Sequence, residues 1–202
     1  SYKKEMSLFF ETFKIFIVAA LTTFFITRSL KLPLFPSQDR HFHQKIVHSI
    51  IHILIMCALP DLLIYANIIQ FSNLKEHIPS KIALYIISFD AVYALVHFSQ
   101  HKWFEYTHKE HHDMKDMLYP GYAFVYSPID SLLVQLCIYS PFYFGLHFTL
   151  QTWYLAVFVI LLYGFMGHTE RGWIDIHRKH HRKPHEGRYS FTGMPEHILS
   201  AL

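Results

Sequence analysis

Residues 82–112 read IALYIISFDAVYALVHFSQHKWFEYTHKEHH, an apolar run that passes directly into a stretch crowded with histidine. Ile82 to His97 reads as a membrane helix with one acid, Asp90, near its middle. An acid at that depth is expected to face other helices or a polar cavity. His97 and His101 are four residues apart, a spacing that puts both imidazoles on one helical face within reach of a common ion. His108, His111 and His112 follow at i, i+3 and i+4, which gathers three more along one helix turn.

The same H-x-x-H-H spacing returns at His177, His180 and His181, preceded by His168 in Gly-His-Thr-Glu. Each group begins where an apolar segment ends. Nine histidines in this arrangement suit two metal ions; one structural zinc needs four ligands, and neither a thiolate set nor H-E-x-x-H is present. Imidazole coordination suits iron, zinc or copper alike. The bland alternative, a surface merely rich in histidine, does not explain why the spacing repeats. The other eight, His41, His43, His48, His52, His77, His147, His185 and His197, read as interfacial or hydrogen-bonded side chains. His48 and His52 share the i, i+4 spacing, but an isolated pair is more often ordinary packing.

Working outward, the chain has 202 residues, 52% of them hydrophobic and 16% charged, against roughly 25% charge in a soluble domain. The bilayer is therefore the expected solvent, and the length suits a single domain over 1–202. Leu8 to Thr27 reads as a first, retained span and Ile46 to Phe71 as a second, with Pro60 and Asp61 kinking it. Tyr122 to Phe148 and Trp153 to Met166 read as a helical hairpin whose second arm is short for a span. The expected fold is an all-α integral membrane protein with about four to five membrane helices and a histidine-rich metal-binding cap. Lys102, Lys109, Lys115, Arg171, Arg178, Lys179, Arg182, Lys183 and Arg188 flank the histidines, so the positive-inside rule puts the cap in the cytosol, with loop 28–45 on the same side. These basic residues form no aromatic-interleaved strip, which argues against nucleic acid as a partner. Cys57 and Cys137 lie in apolar runs and read as small buried hydrophobes.

The stretch His97-Phe-Ser-Gln-His101-Lys-Trp-Phe-Glu-Tyr-Thr-His108-Lys-Glu-His111-His112 resembles, in its boxes and their separation, the fatty acid hydroxylase and sterol desaturase superfamily of histidine-box membrane oxygenases. Within it, sterol desaturases and methyl-sterol oxidases look most similar. Pro120-Gly121, Ser127-Pro128-Ile129-Asp130 and Gly167-His168-Thr169 resemble the segments that follow, so the likeness runs over about 85–192. The family's Asn-Tyr-Gly-like element after the third box is replaced here by Gly187-Arg188-Tyr189, with Tyr189 standing where the family has its tyrosine. The resemblance implies a four-helix-like membrane bundle under a cytosolic cap and a di-iron centre. It also implies a lipid substrate, sterol or fatty acyl/sphingolipid, and consumption of O₂ with electrons from a b-type cytochrome or a related reductase.

An unactivated lipid C–H bond has no leaving group and no acidic proton, so a redox metal rather than acid–base chemistry must attack it. Two iron ions are therefore expected, with zinc a plausible occupant after purification. Hydroxylation and desaturation both remain open. Glu105, Glu110, Asp113, Glu170 and Asp175 lie among the boxes and, with Asp90 and Tyr189, are candidates to orient ligand imidazoles through their second nitrogen. Two rival functions are a catalytically silent family member that keeps its metal for structure, and a membrane metal transporter or sensor. The expected location is the endoplasmic reticulum in a eukaryote or the inner membrane in a bacterium.

Overall fold

A computed structural model describes residues 8–35, 42–73, 77–112, 119–169, 175–182 and 189–190, the side chains of 175–178 excepted. Among them are seven α-helices, one 3-10 turn and no strand: α1 (Leu8–Ser29), α2 (Phe42–Tyr65), α3 (Ile78–Trp103), α4 (Glu105–His112), α5 (Pro128–Tyr143), α6 (Leu150–Gly167) and α7 (Asp175–Arg182). Four of these, α1, α2, α3 and α6, are long and apolar enough to cross a membrane. Phe10, Val18, Phe25, Leu54, Leu62 and Leu95 are exposed along them, an arrangement that fits an integral membrane protein whose outer surface meets lipid.

The five larger helices close into a ring in which α1 packs on α2, α2 on α5, α5 on α3, α3 on α6 and α6 back on α1. Aromatic residues fill its interior, with Trp153, Tyr85, Phe89, Tyr139 and Phe148 all buried. The Tyr85 hydroxyl donates to the Ile138 carbonyl, tying α3 to α5. The end of the ring away from the histidines is closed by two devices. Asp61 of α2 accepts from the backbone N–H groups of Leu8 and Phe9 at 2.8 and 3.3 Å, capping α1. Phe71 and Phe148 form an isolated bridge, with Ser72 N donating to the Phe148 carbonyl at 2.8 Å.

Several boundaries differ from those expected. The second helix starts at Phe42 and stops at Tyr65 rather than running to Phe71. Asn67 takes a left-handed conformation (φ 57°), which ends the helix as Asn does at many C-termini. The hairpin arms come out nearly equal: α5 is cut back to 16 residues from the expected run over 122–148, and α6, expected to be short for a span, has 18. The first arm is short because Tyr122 to Tyr126, although apolar, is not helical beyond a 3-10 turn, and α5 starts only at Pro128 behind a Ser127 cap. Pro60 lies within α2, and Asp61 serves as the cap to α1.

At ~1.5 Å per residue, His97 stands about 28 Å along α3, close to the ~30 Å depth of a hydrocarbon core. The last turns of α3 thus deliver the first histidine pair to one end of the bundle. Loop residue Leu34 accepts from Gly121 N at 3.0 Å at that same end, so the connection between α1 and α2 and the histidines share a side.

Candidate metal centre

Four helices supply the histidines. α3 carries His97 and His101 one turn apart, and the chain then breaks at Phe104 (φ −132°, ψ 38°), whose carbonyl accepts from the Thr107 amide and hydroxyl at 2.9 and 2.8 Å. The break lets α4 turn back over the end of α3 with His108, His111 and His112 all buried. His168 follows the last residue of α6, and α7 brings His180 and His181, which are fully buried.

Eight of the nine box histidines converge in two adjoining groups. His97, His101, His108, His112 and His180 form one, and His111, His168 and His181 the other; within each, the nitrogens lie within 4.8 Å of one another. The groups abut, with ring centroids 4.7 Å apart for His112 and His181 and 5.0 Å for His108 and His111. Glu170 and the His177 side chain lie outside the described residues, although the His177 backbone is within α7.

Hydrogen bonding fixes which way these rings face. His97 Nδ1 donates to the Tyr189 carbonyl at 2.9 Å, His111 Nδ1 to the Val125 carbonyl at 3.2 Å and His168 Nδ1 to the Gly164 carbonyl at 2.8 Å. His108 Nδ1 lies 2.7 Å from Asp130 Oδ2. All four partners accept and cannot donate, so in a neutral imidazole the proton sits on Nδ1 and the Nε2 lone pair points into the cluster. Burial pushes His168 down to about 4, against the opposing pull of its bond to Gly164, which keeps the ring in that neutral form.

The Nε2 atoms also come within hydrogen-bonding distance of one another, an approach that two facing lone pairs tolerate only with a cation between them. His181 Nε2 is 3.0 Å from His111 Nε2; His180 Nε2 is 3.1 Å from both His101 and His112 Nε2; and His97 and His101 Nε2 are 3.3 Å apart. Two nitrogens bound ~2.0–2.1 Å from one metal are separated by about 2.9 Å at a right angle and about 3.3 Å at the tetrahedral angle. The observed spacings fall in or beside that interval. His108 Nε2 is buried and has no hydrogen-bond partner among the described residues, as a vacant ligand atom would be. The donor set therefore fits two histidine-bound metal ions.

Around the clusters the expected orienting residues divide. Tyr189 is in place, giving its carbonyl to His97 while its ring packs against His97, His101 and His180 at 5.4–5.8 Å. Asp90 is buried on α3, but the second nitrogen of His97 goes to Tyr189. Glu110 Oε2 lies 2.9 Å from His48 Nδ1 of α2, at ion-pair distance without hydrogen-bond alignment, and so meets a histidine outside both clusters. His52 is an ordinary buried histidine, as its isolated spacing suggests: Nδ1 meets Ser131 Oγ at 3.1 Å and Nε2 meets Gln135 Nε2 at 3.2 Å.

Three contacts were not legible in the spacing. Asp130 enters the sequence reading only as part of Ser127-Pro128-Ile129-Asp130. Its position in the first turn after a serine cap is the signal that marks it as a fixed acid. Gln100 Nε2 donates to Asp130 Oδ1 at 2.9 Å. Tyr126 stacks on His111 at 4.6 Å with the planes 15° apart and also meets His52 at 4.8 Å, filling the space between a cluster histidine and the buried one.

No curated protein and no solved structure was found to match the chain. A family model described as fatty acid hydroxylase does match, over residues 82–199. That span takes in all nine box histidines, Asp130 and Tyr189, and more than half of the sequence. With α3 to α7 arranged as above, the chain belongs to the fatty acid hydroxylase family.

Proposed function

We propose that this protein is a membrane di-iron oxygenase that hydroxylates or desaturates a C–H bond of a lipid, sterol or fatty acyl/sphingolipid, using O₂ and an external reductant. The observation that carries the reading is the convergence of Nε2 atoms at 3.0–3.3 Å, with four of the eight clustered rings held by acceptors at Nδ1. His97, His101, His108, His112 and His180 would hold one ion, and His111, His168 and His181 the other. Such a metal pair, when bound, supplies the redox chemistry with O₂ that no side chain can offer to an unactivated C–H bond.

The protein's own part is positioning. The carbonyls of Val125, Gly164 and Tyr189 and the carboxylate of Asp130 hold ligand rings in one tautomer and one orientation, so little rearrangement is needed on metal binding. The stacked Tyr126 keeps the His111 plane fixed. Because the histidines stand at the end of a span, a lipid has only to present its chain or ring system at the bilayer boundary. Exposed Lys102, Lys109, Lys179 and Arg182 around the centre favour an acidic electron donor such as a b-type cytochrome or its reductase, and they favour the cytosolic side of the membrane. A transport path would instead place polar ligands along the spans, whereas both clusters gather at one end of the bundle.

The test is to reconstitute the protein in lipid nanodiscs with ferrous iron, a reductant and O₂, and to analyse the lipids by mass spectrometry. A lipid that gains one oxygen or loses two hydrogens, only with O₂ and not with His111→Ala, is the expected result. An iron-loaded, reduced protein that leaves sterols, fatty acyl chains and sphingolipids unchanged would overturn the reading.

A further inference from the structure

Asp130 stands out among the charged groups near the centre. It is fully buried, and both of its carboxylate oxygens are engaged, Oδ2 with His108 Nδ1 at 2.7 Å and Oδ1 with Gln100 Nε2 at 2.9 Å. Gln100, itself buried, is held in turn by Thr107 Oγ1 at 3.2 Å. Asp130 also occupies the first turn of α5, where Ser127 Oγ accepts from its backbone N–H at 3.2 Å and the positive end of the helix dipole favours a carboxylate. The His97, His111 and His168 rings rest on neutral carbonyls, whereas His108 rests on an acid.

A carboxylate behind a ligand imidazole fixes its tautomer and raises its donor strength, and loss of such a partner typically lowers metal affinity by about 10–100-fold. Resting on the di-metal reading above, we infer that Asp130 is a positioning residue that sets metal affinity at the five-histidine position, through His108, and leaves the His111–His168–His181 position largely unaffected. The geometry selects that position because His108 belongs to the first group and its buried Nε2 has no hydrogen-bond partner among the described residues. Asp130 itself touches no reacting atom.

The full chain in detergent is equilibrated with buffered zinc over a range of free concentrations, and bound metal per chain is measured with thermal unfolding alongside. Wild type should bind two ions. Asp130→Asn should bind one with unchanged affinity and the other about 10–100-fold more weakly. Asp61→Ala separates positioning from loss of stability, because Asp61 is an acid that caps α1 at the opposite end of the ring, away from both histidine groups. It should unfold at lower temperature and keep both affinities. Should Asp130→Asn not fold, the double variant Asp130→Asn with Gln100→Glu decides, since it keeps one buried acid in the pair but removes it from His108; weakening of one ion is again expected. Two ions bound at wild-type affinity by Asp130→Asn or by the double variant would overturn the inference, as would loss of the same ion in Asp61→Ala. A folded wild type that binds no metal would instead overturn the di-metal reading itself.

Discussion

Gly121 sits where the loop after α1 lies over the segment that leads into α5, and replacing it with alanine should show how far that packing supports the centre. A Cβ built there would stand 2.1 Å from Phe35 Cε1 and 2.5 Å from two further atoms of the ring. Carbon atoms in ordinary contact are about 3.5–4.0 Å apart, so the ring must move by more than an ångström. Phe35 is 37% exposed and can swing outward, but it then gives up its edge-on contacts with Phe42 and Tyr122 at 5.9 and 5.7 Å. Losing part of a phenylalanine's burial together with those contacts amounts to about 2–3 kcal/mol. Tyr122, which loses the Phe35 contact, leads directly into Val125, whose carbonyl holds His111, and Tyr126, which stacks on the same ring. Gly121→Ala should therefore lower both the unfolding temperature and metal retention. Phe35→Ala should lose most of the same energy, and the double variant should lose little more than either single change. Additive losses, or wild-type stability and metal content in Gly121→Ala, would refute the reasoning.

Three other perturbations separate scaffold from centre. His52→Ala strands the side chains of Ser131 and Gln135 and leaves a cavity beside Tyr126, so it should cost about 2–5 kcal/mol in detergent unfolding while folded protein retains metal. Asp61→Ala removes the acceptor for two N–H groups of α1 and should cost about 1 kcal/mol, read most directly as faster amide exchange at Leu8 and Phe9. Stripping metal with a chelator should raise amide exchange in α4 and α7, whose buried histidines then face one another without a cation, and leave α1 and α2 unchanged. Uniform exchange across the bundle after chelation would contradict that assignment.

The histidine boxes were legible because the 3.6-residue period turns i, i+3 and i+4 spacing into one face, and α1, α3 and α6 were legible because spans are long and apolar. The all-helical, membrane-type fold follows from the same two signals. Hydropathy failed where apolar chain is not helical: residues 122–126 are apolar, yet they run as a largely buried connection because Pro128 and its Ser127 cap start the helix later. It overshot α2 for a similar reason, since Asn67 and not a loss of apolar character ends that helix. At the centre, the spacing could nominate ligands but not the groups behind them. Val125 and Gly164 act through their carbonyls, which no side-chain pattern reveals, and Asp130 is 22 residues from the histidine it supports. Glu110 shows the converse, an acid between two cluster histidines whose carboxylate faces His48 of another helix.

The most direct test of the account is the metal content of the folded, detergent-solubilised chain after loading with ferrous iron under anaerobic conditions, compared with His180→Ala from the five-histidine group and His111→Ala from the three-histidine group. The account predicts two ions per chain in the wild type and loss of one or both in each variant. A folded wild type that takes up no metal, or variants that bind as much as the wild type, would contradict it.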